Sequence, residues 1–226
     1  MYLRQYKSLL LVLAGVMALI VASPVLQKVL VYPQTEYFTE LWLLGPEHTA
    51  NNYPYNITSN NKYNIFLGVA NHLGFDAHYI LEVKFRNQTQ SAPNIFNRTH
   101  SSLESLYSMD LFVAENETWE MPLTFSVDYS FEKRPPIYET VSFIAPDGKE
   151  TYYLVPVVTE QVNFNNLRLN DATVSLQGLY SEFDNQTDIF FGNLVFELWI
   201  YDSLTSGYVY HERYVDLKLS MTKKSE

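Results

Sequence analysis

One uncharged stretch near the N-terminus constrains this chain more than any other feature. Residues 9–22 read LLLVLAGVMALIVA and contain no polar side chain, and the uncharged segment extends over residues 8–26. Because an α-helix rises about 1.5 Å per residue, roughly 20 residues cross the hydrocarbon core of a bilayer. We therefore predict a cytoplasmic N-terminus over residues 1–7 and a transmembrane signal anchor over residues 8–27, with the lipid bilayer as a partner.

The charges that flank this segment predict its orientation. Arg4 and Lys7 precede it with no acid between them, whereas Glu36 follows it. Since Lys and Arg are enriched on the cytoplasmic side of membrane helices, residues 33–226 are expected outside the cell. The pattern is typical of a single-pass plasma-membrane protein with an extracellular C-terminal domain.

A cleaved secretory signal is the alternative for the same residues. The small residues Ala22 and Ser23 resemble a cleavage site, but Pro24 follows at once and disfavours cleavage there. The apolar run also continues through Leu26. Under either interpretation, the rest of the chain leaves the cytoplasm.

The exterior part of the chain is acidic and contains no cysteine. The whole chain has a formal net charge of −10, although residues 1–28 hold three bases and no acid. An acidic domain repels nucleic acid, which is therefore not an expected partner. The absence of cysteine excludes thiolate metal sites, thiol catalysis and disulfide bonds.

Asparagine residues in the exterior part form an excess of N-glycosylation acceptors. Chance placement of the Asn and Thr residues gives about one Asn-x-Thr triplet, whereas this chain has five, all on the predicted outer side. A polar turn composition that happens to place Asn near Thr is the alternative. The candidate glycosylation sites are Asn56, Asn87, Asn97, Asn116 and Asn185.

Short runs of β-branched and aromatic residues, separated by turn residues, predict an all-β domain. The sequences PDGK (146–149) and SLTSG (203–207) are typical of hairpin turns, and residues 101–112 are ambiguous between helix and strand. The spacing favours a two-sheet β-sandwich. We predict strands over residues 37–44, 62–71, 78–85, 122–131, 139–145, 150–158, 194–202 and 208–221.

The first part of this domain contains two distinctive segments, TEYFTELWLLGPEHTANNYPYNIT (35–58) and NIFLGVANHLGFDAHYILEV (64–83). They resemble an uncharacterised archaeal membrane-protein family, the domain of unknown function 1616, and a weaker likeness begins at LVFELWIYD (194–202). Members of that family carry several membrane helices before this domain, whereas this chain has one predicted helix.

This resemblance implies an immunoglobulin-like β-sandwich outside the membrane. It implies no activity, because none is established for the family. The segment at about 128–190 is longer than the family pattern and is interpreted as an insertion between strands.

The chain lacks recognisable catalytic motifs. His72, Asp76 and His78 lie close together in NHLGFDAH, but their spacing matches no zinc motif and indicates turn polarity rather than a metal site. There is no G-x-S-x-G elbow and no phosphate-binding loop. We predict a protein that is not an enzyme and that uses no cofactor, although a hydrolase with paired carboxylates stays open.

Aromatic residues form two candidate binding surfaces. Tyr53 and Tyr55 flank a proline, and alternation along 194–202 places Trp199 and Tyr201 on an outward face together with Glu197. Exposed aromatic rings mark partner surfaces or stack on sugars, whereas cross-strand packing is the ordinary structural explanation.

The resulting functional hypothesis is a structural or recognition role. We expect a membrane-anchored, N-glycosylated extracellular protein of the cell envelope, or an accessory subunit of a membrane complex, with a protein partner. An extracytoplasmic carbohydrate-binding module is the alternative, and an envelope hydrolase comes third.

Overall fold

The N-terminal segment is described in part. The computed structural model describes residues 6–7, 11–21, 37–94, 96–146, 148–157, 159–184 and 189–223. Residues 11–21 are helical, and their side chains are exposed. Among the described residues, no helix has both the length and the apolar character needed to cross a membrane. Residues 8–10 and 22–27 of the predicted anchor lie outside the described part.

The remainder of the described chain folds into β-strands, so the all-β prediction is confirmed. Each of the eight predicted strands overlaps an observed strand, and the ambiguous stretch at 101–112 contains the beginning of one. The strands are β1 (Phe38–Leu44), β2 (Asn56–Thr58), β3 (Tyr63–His72), β4 (Ala77–Arg86), β5 (Tyr107–Val113), β6 (Thr118–Lys133), β7 (Ile137–Ile144), β8 (Glu150–Val157), β9 (Glu160–Leu169), β10 (Ala172–Ser175), β11 (Tyr180–Asp184), β12 (Ile189–Asp202) and β13 (Gly207–Thr222).

The strands form two ladders that meet at one short junction. The first ladder has the order β1-β3-β6-β9, with β10 and β11 paired to β9. The second has the order β5-β4-β12-β13-β2, in which only the β13–β2 pairing is parallel. Two residue pairs between β11 and β12 join the ladders into one 11-stranded sheet. Strands β7 and β8 form a separate hairpin.

The core lies between the apolar faces of the two ladders. Phe85 on β4 contacts Phe164 on β9 edge to face, with ring centroids 4.7 Å apart, and both side chains are buried. Strand β12 pairs with β4 on one side and β13 on the other, and residues 190–198 are buried on both of its faces. This central strand holds the second ladder together.

Strand β9 was not predicted because a β-bulge interrupts its alternation. Asp128 of β6 lies opposite Asn166, whereas the next residue, Tyr129, lies opposite Phe164, so Asn165 is an extra residue. The buried positions therefore change phase along the strand, from Phe164 to Leu167. A pattern search with a fixed period of two does not find such a strand.

The hydroxyl of Tyr129 fastens the two ladders together at one end. It lies 2.6 Å from the carbonyl oxygen of Ile57 on β2 and 2.8 Å from that of Thr222 on β13. It also accepts a hydrogen bond of 3.1 Å from the Thr222 N–H. Burial is the main cause that raises the pKa of Tyr129 to about 12, so the hydroxyl stays protonated at physiological pH.

We predict that Tyr129→Phe destabilises the folded domain by about 1–3 kcal/mol, because buried backbone groups on β2 and β13 lose their partner. Denaturant unfolding of the full chain measures this difference. Tyr208→Phe is the matched control, since the Tyr208 ring is 38% exposed. Equal stability of Tyr129→Phe and Tyr208→Phe would show that the hydroxyl does not fasten the ladders.

Candidate functional site

An open cleft between β1 and β13 is the best candidate for a binding site. Its volume is about 670 Å³, which lies within the range of small-ligand sites. Three successive residues of β1 (41–43) and five successive residues of β13 (214–218) line it, together with Tyr53 and Tyr55. We call this feature the aromatic cleft.

The aromatic cleft faces the edges of these two strands. Successive side chains on a strand point to opposite faces. A cavity lined by five consecutive residues therefore lies along the edge of the strand. Strand β1 is the last strand of its ladder. On β13, the outer edge is covered by β2 only at Ser220–Thr222. Among the described residues, neither edge has a paired strand within the cleft.

Trp42 forms one wall of the cleft, and Gly68 makes its position possible. A Cβ atom placed on Gly68 of β3 would lie 2.2 Å from the Trp42 ring, so only glycine leaves room for the indole. The Trp42 Nε1–H donates a hydrogen bond of 3.2 Å to Glu120 Oε2. A glycine inside a strand pattern signals such a close approach, and this was the available sequence signal for Trp42.

The segment that carries Tyr53 and Tyr55 connects the two sides of the cleft. The Tyr53 hydroxyl donates a hydrogen bond of 2.8 Å to the Leu43 carbonyl on β1. The Tyr55 carbonyl accepts one of 2.7 Å from the Ser220 N–H on β13. The Tyr55 side chain is 41% exposed, so its ring is free to contact a ligand.

A largely buried chain of hydrogen bonds links β1 to β13 beside the cleft. His211 Nε2 lies 2.7 Å from Thr39 Oγ1, which lies 3.0 Å from the Tyr79 hydroxyl. The Tyr79 hydroxyl donates to Asn71 Oδ1 at 3.3 Å. Because each hydroxyl has one hydrogen, Thr39 must donate to Tyr79, and His211 must donate to Thr39. We call these four residues the polar relay.

A β-bulge places His211 in this relay. Leu198 of β12 lies opposite Arg213, but the next residue, Trp199, lies opposite Tyr210, so His211 and Glu212 are additional. Glu212 has a φ of 57°, in the left-handed region, as expected at such an irregularity. Arg213 Nε donates to the Thr39 carbonyl at 3.1 Å and adds a second link between β13 and β1.

The polar relay is uncharged at neutral pH. Burial, and then the neighbouring charge of Arg213, lowers the pKa of His211 to about 4. Burial also raises the pKa of Tyr79. The neutral imidazole with its proton on Nε2 is the form that the hydrogen-bond directions require.

The predicted outward face on β12 is covered, so the prediction that Glu197 faces solvent was wrong. Glu197 is fully buried, and its Oε2 lies 2.7 Å from Lys84 Nζ, which is also buried. The Ser101 N–H donates a hydrogen bond of 2.8 Å to Glu197 Oε1. Alternation identified the correct face of β12, but it gave no sign that the segment around Ser101 covers it.

Trp199 and Tyr201 do not form one open aromatic surface. Trp199 is half-buried, with its ring centroid 5.1 Å from that of His100 and 5.7 Å from that of Tyr210. Tyr201 is 44% exposed and contacts Tyr208. These contacts are cross-strand packing of the kind that stabilises sheets.

The candidate glycosylation sites differ in accessibility. Asn56, Asn97 and Asn116 are exposed, and Asn185 lies outside the described residues. Asn87 is buried, and its Nδ2, the atom that would carry a glycan, donates a hydrogen bond of 2.8 Å to the Tyr180 carbonyl. A bulky sugar on this buried nitrogen would have no room without local rearrangement, so the geometry argues against modification at Asn87.

The polar side chains of NHLGFDAH make local contacts. Asp76 Oδ1 accepts a hydrogen bond of 2.9 Å from the Glu115 N–H, and the His78 ring lies 4.8 Å from that of Phe112. His72 Nε2 lies 4.0 Å from Glu40 Oε1. Across the described ranges, no three His, Asp or Glu residues are grouped to hold a metal ion.

A known protein family matches the part of the chain that contains the β1 side of the cleft. Residues 33–134 match a domain of unknown function, DUF1616. The DUF1616 segment contains β1 to β6 and therefore Trp42, Tyr53 and Tyr55. It ends at residue 134, before β7, and includes neither β13 nor the predicted likeness at 194–202. No curated protein matches the chain.

We predict that the relay makes stability depend on pH through His211. Its pKa is depressed in the folded state from the ordinary value of 6.5 to about 4, so the unfolded chain binds a proton first as the pH falls. The contribution of the neutral His211 to the free energy of unfolding is fully present above about pH 6.5 and is lost progressively towards pH 4. Between pH 7.5 and pH 5, we expect the free energy of unfolding of His211→Gln to fall by about 2 kcal/mol less than that of the wild type.

Urea unfolding at a series of pH values measures this difference, because groups other than His211 titrate alike in both proteins. Parallel curves for the wild type and His211→Gln would show that the imidazole is not held neutral in the relay.

Proposed function

We propose that this chain is a recognition protein of the archaeal cell envelope, and that its aromatic cleft binds an extended segment of a partner protein. In this proposal, residues 8–27 anchor it in the plasma membrane as a single-pass protein. The acidic, N-glycosylated domain, an immunoglobulin-like β-sandwich, lies outside the cell and serves as an accessory subunit of a membrane complex. The observation that carries the proposal is the pair of uncovered strand edges, β1 and β13.

Open edges favour an extended polypeptide as the ligand. An unpaired strand edge presents a row of backbone N–H and C=O groups, and an added strand satisfies them. The cleft offers such an edge on each side, over residues 41–43 and 214–218. Backbone hydrogen bonds would provide affinity, while the aromatic walls would select side chains at alternate positions of the ligand.

The cleft is held in shape before any ligand binds. The relay joins β1 to β13 at Thr39, and the Tyr53 and Tyr55 contacts join the same strands near Leu43 and Ser220. A site fixed by contacts at both ends loses little conformational freedom on binding. This rigidity supports recognition as the role of the cleft.

Membrane anchorage and glycosylation rest on the sequence and on exposure. The helical residues 11–21 expose Leu11, Leu13 and Ile20 at 61–74%, and such apolar side chains are suited to a lipid environment. Asn56, Asn97 and Asn116 are exposed, as attachment of a glycan requires. These observations support the proposed location of the domain.

Carbohydrate binding is a second candidate function for the same cleft. Trp42, Tyr53, Tyr55 and Tyr214 bring four aromatic rings around it, and aromatic faces also stack on sugar rings. The two functions differ in one respect that can be measured. A peptide needs the backbone edges, whereas a sugar needs only the rings.

We predict that Tyr55→Ala weakens ligand binding by the full-length protein at least tenfold, because Tyr55 is the most exposed aromatic side chain in the cleft. The probe is the tightest binder selected from a random nonapeptide display library. Tyr208→Ala is the matched control, since Tyr208 has a similar exposure, 38%, but does not line the cleft. It should bind like the wild type.

N-methylation along the selected peptide then separates the two functions. In a strand added to one of the two edges, alternate N–H groups point to that edge, so we expect methylation to abolish binding at every second position. Tolerance of methylation at all positions would contradict strand addition. A glycan array that binds the wild type, but not Tyr55→Ala, would then establish carbohydrate binding instead.

A further inference from the structure

The hairpin of β7 and β8 is the most unusual part of the described surface. It is a sheet of two strands, closed at its base by a hydrogen bond of 2.9 Å from the Arg134 N–H to the Thr159 carbonyl. Within the described residues, neither strand pairs with a third. Every residue of β7 is exposed, and so is every residue of β8 except Val157, which is half-buried.

Many side chains of this hairpin are apolar although they are exposed. On one face, five apolar residues are 42–58% exposed, with Glu139 between them. These residues are Ile137, Val141, Phe143, Tyr153 and Val155. The opposite face also carries exposed Tyr138, Tyr152 and Leu154. An isolated two-stranded hairpin is marginally stable in water, and three or more strands give independent stability.

We propose that β7 pairs edge to edge with β7 of a second copy of this chain, so that two hairpins form one four-stranded sheet. A twofold axis perpendicular to the sheet relates the copies, and the contact is therefore isologous and closed. This proposal does not depend on the function of the aromatic cleft.

The chemistry of the two edges selects β7 rather than β8. Pro156 lies within β8 and has no N–H to donate. The sequence of β7, IYETVSFI, contains no proline and no lysine, and Glu139 is its only charged residue. Proteins usually protect an exposed edge with proline, lysine or a bulge. The edge of β7 lacks these protections over eight residues.

The register of such a pair follows from alternation and charge. A twofold axis at Thr140 or at Val141 keeps the more apolar faces of both hairpins on the same side. With the axis at Thr140, Glu139 lies opposite Val141 of the other copy. With the axis at Val141, it lies opposite Phe143. Neither register places Glu139 opposite itself, so like charges do not meet across the interface.

A second copy fits the hairpin better than a lipid surface does. The turn that a membrane would meet first has the sequence PDGK, followed by Glu150. The apolar side chains lie along the strands behind this charged turn. Insertion of the tip into a bilayer would therefore bury charge before it buried apolar surface.

The absence of cysteine from the chain gives a direct test. Single-cysteine variants of the full-length protein, Thr140→Cys and Val141→Cys, are reconstituted in lipid vesicles and oxidised with diamide. Leu154→Cys is the matched control, because Leu154 lies opposite Thr140 on the same face but on the β8 edge. We expect at least one β7 variant to form a covalent dimer at least tenfold more than Leu154→Cys does.

A charge on the β7 edge provides the second measurement. Val141→Glu should convert the wild-type dimer, measured by sedimentation of the full-length protein in detergent, to a monomer, because it places like charges opposite each other in both registers. The variant should still unfold in one cooperative thermal transition, because the side chain at 141 contacts no core residue. Equal cross-linking of all three cysteine variants would overturn the proposal, and so would a wild-type monomer at tens of micromolar. Protection of the Val141→Cys thiol from a water-soluble maleimide in the vesicles, without a dimer, would assign the hairpin to the lipid surface.

Discussion

The pairing of backbone groups at strand edges is the constraint on which this structure depends. Strand β12 satisfies it over residues 193–200, where β4 covers one edge and β13 the other, and residues 190–198 of this strand are buried. Several other edges in the described residues remain uncovered, among them β1, most of β13, and β7. Natural β-proteins usually cover or protect such edges, since an open edge pairs with another chain. The proposed partner site and the proposed contact between copies both follow from this one property.

The aromatic cleft lies between two fastenings of β13. Near one end of that strand, the bulged His211 reaches Thr39 on β1. Near the other end, Tyr129 lies within hydrogen-bond distance of Thr222 and Ile57. Residues 214–218, between these points, face the cleft. The core therefore positions the edge without covering it, and loss of either fastening would affect stability and the shape of the cleft together.

The sequence predicted the strands well where alternation is regular, as in β12 and β13, and failed at β9, where Asn165 shifts the phase. It identified Tyr53 and Tyr55 as candidate binding residues, because adjacent aromatics in a turn are visible locally. Tyr214 joins them only through the fold, since β1 and β13 come from opposite ends of the domain. Burial of Glu197 was likewise unpredictable, because it depends on Ser101 and Lys84, both distant in sequence.

Amide hydrogen exchange of the protein without a partner tests the open edge most directly. Along residues 213–218, beyond the bulge, N–H groups directed at β12 should exchange slowly, whereas those directed into the cleft should exchange quickly. The account predicts this alternation of fast and slow amides. Slow exchange at every one of these residues would show that the edge is already covered, and would contradict the central claim.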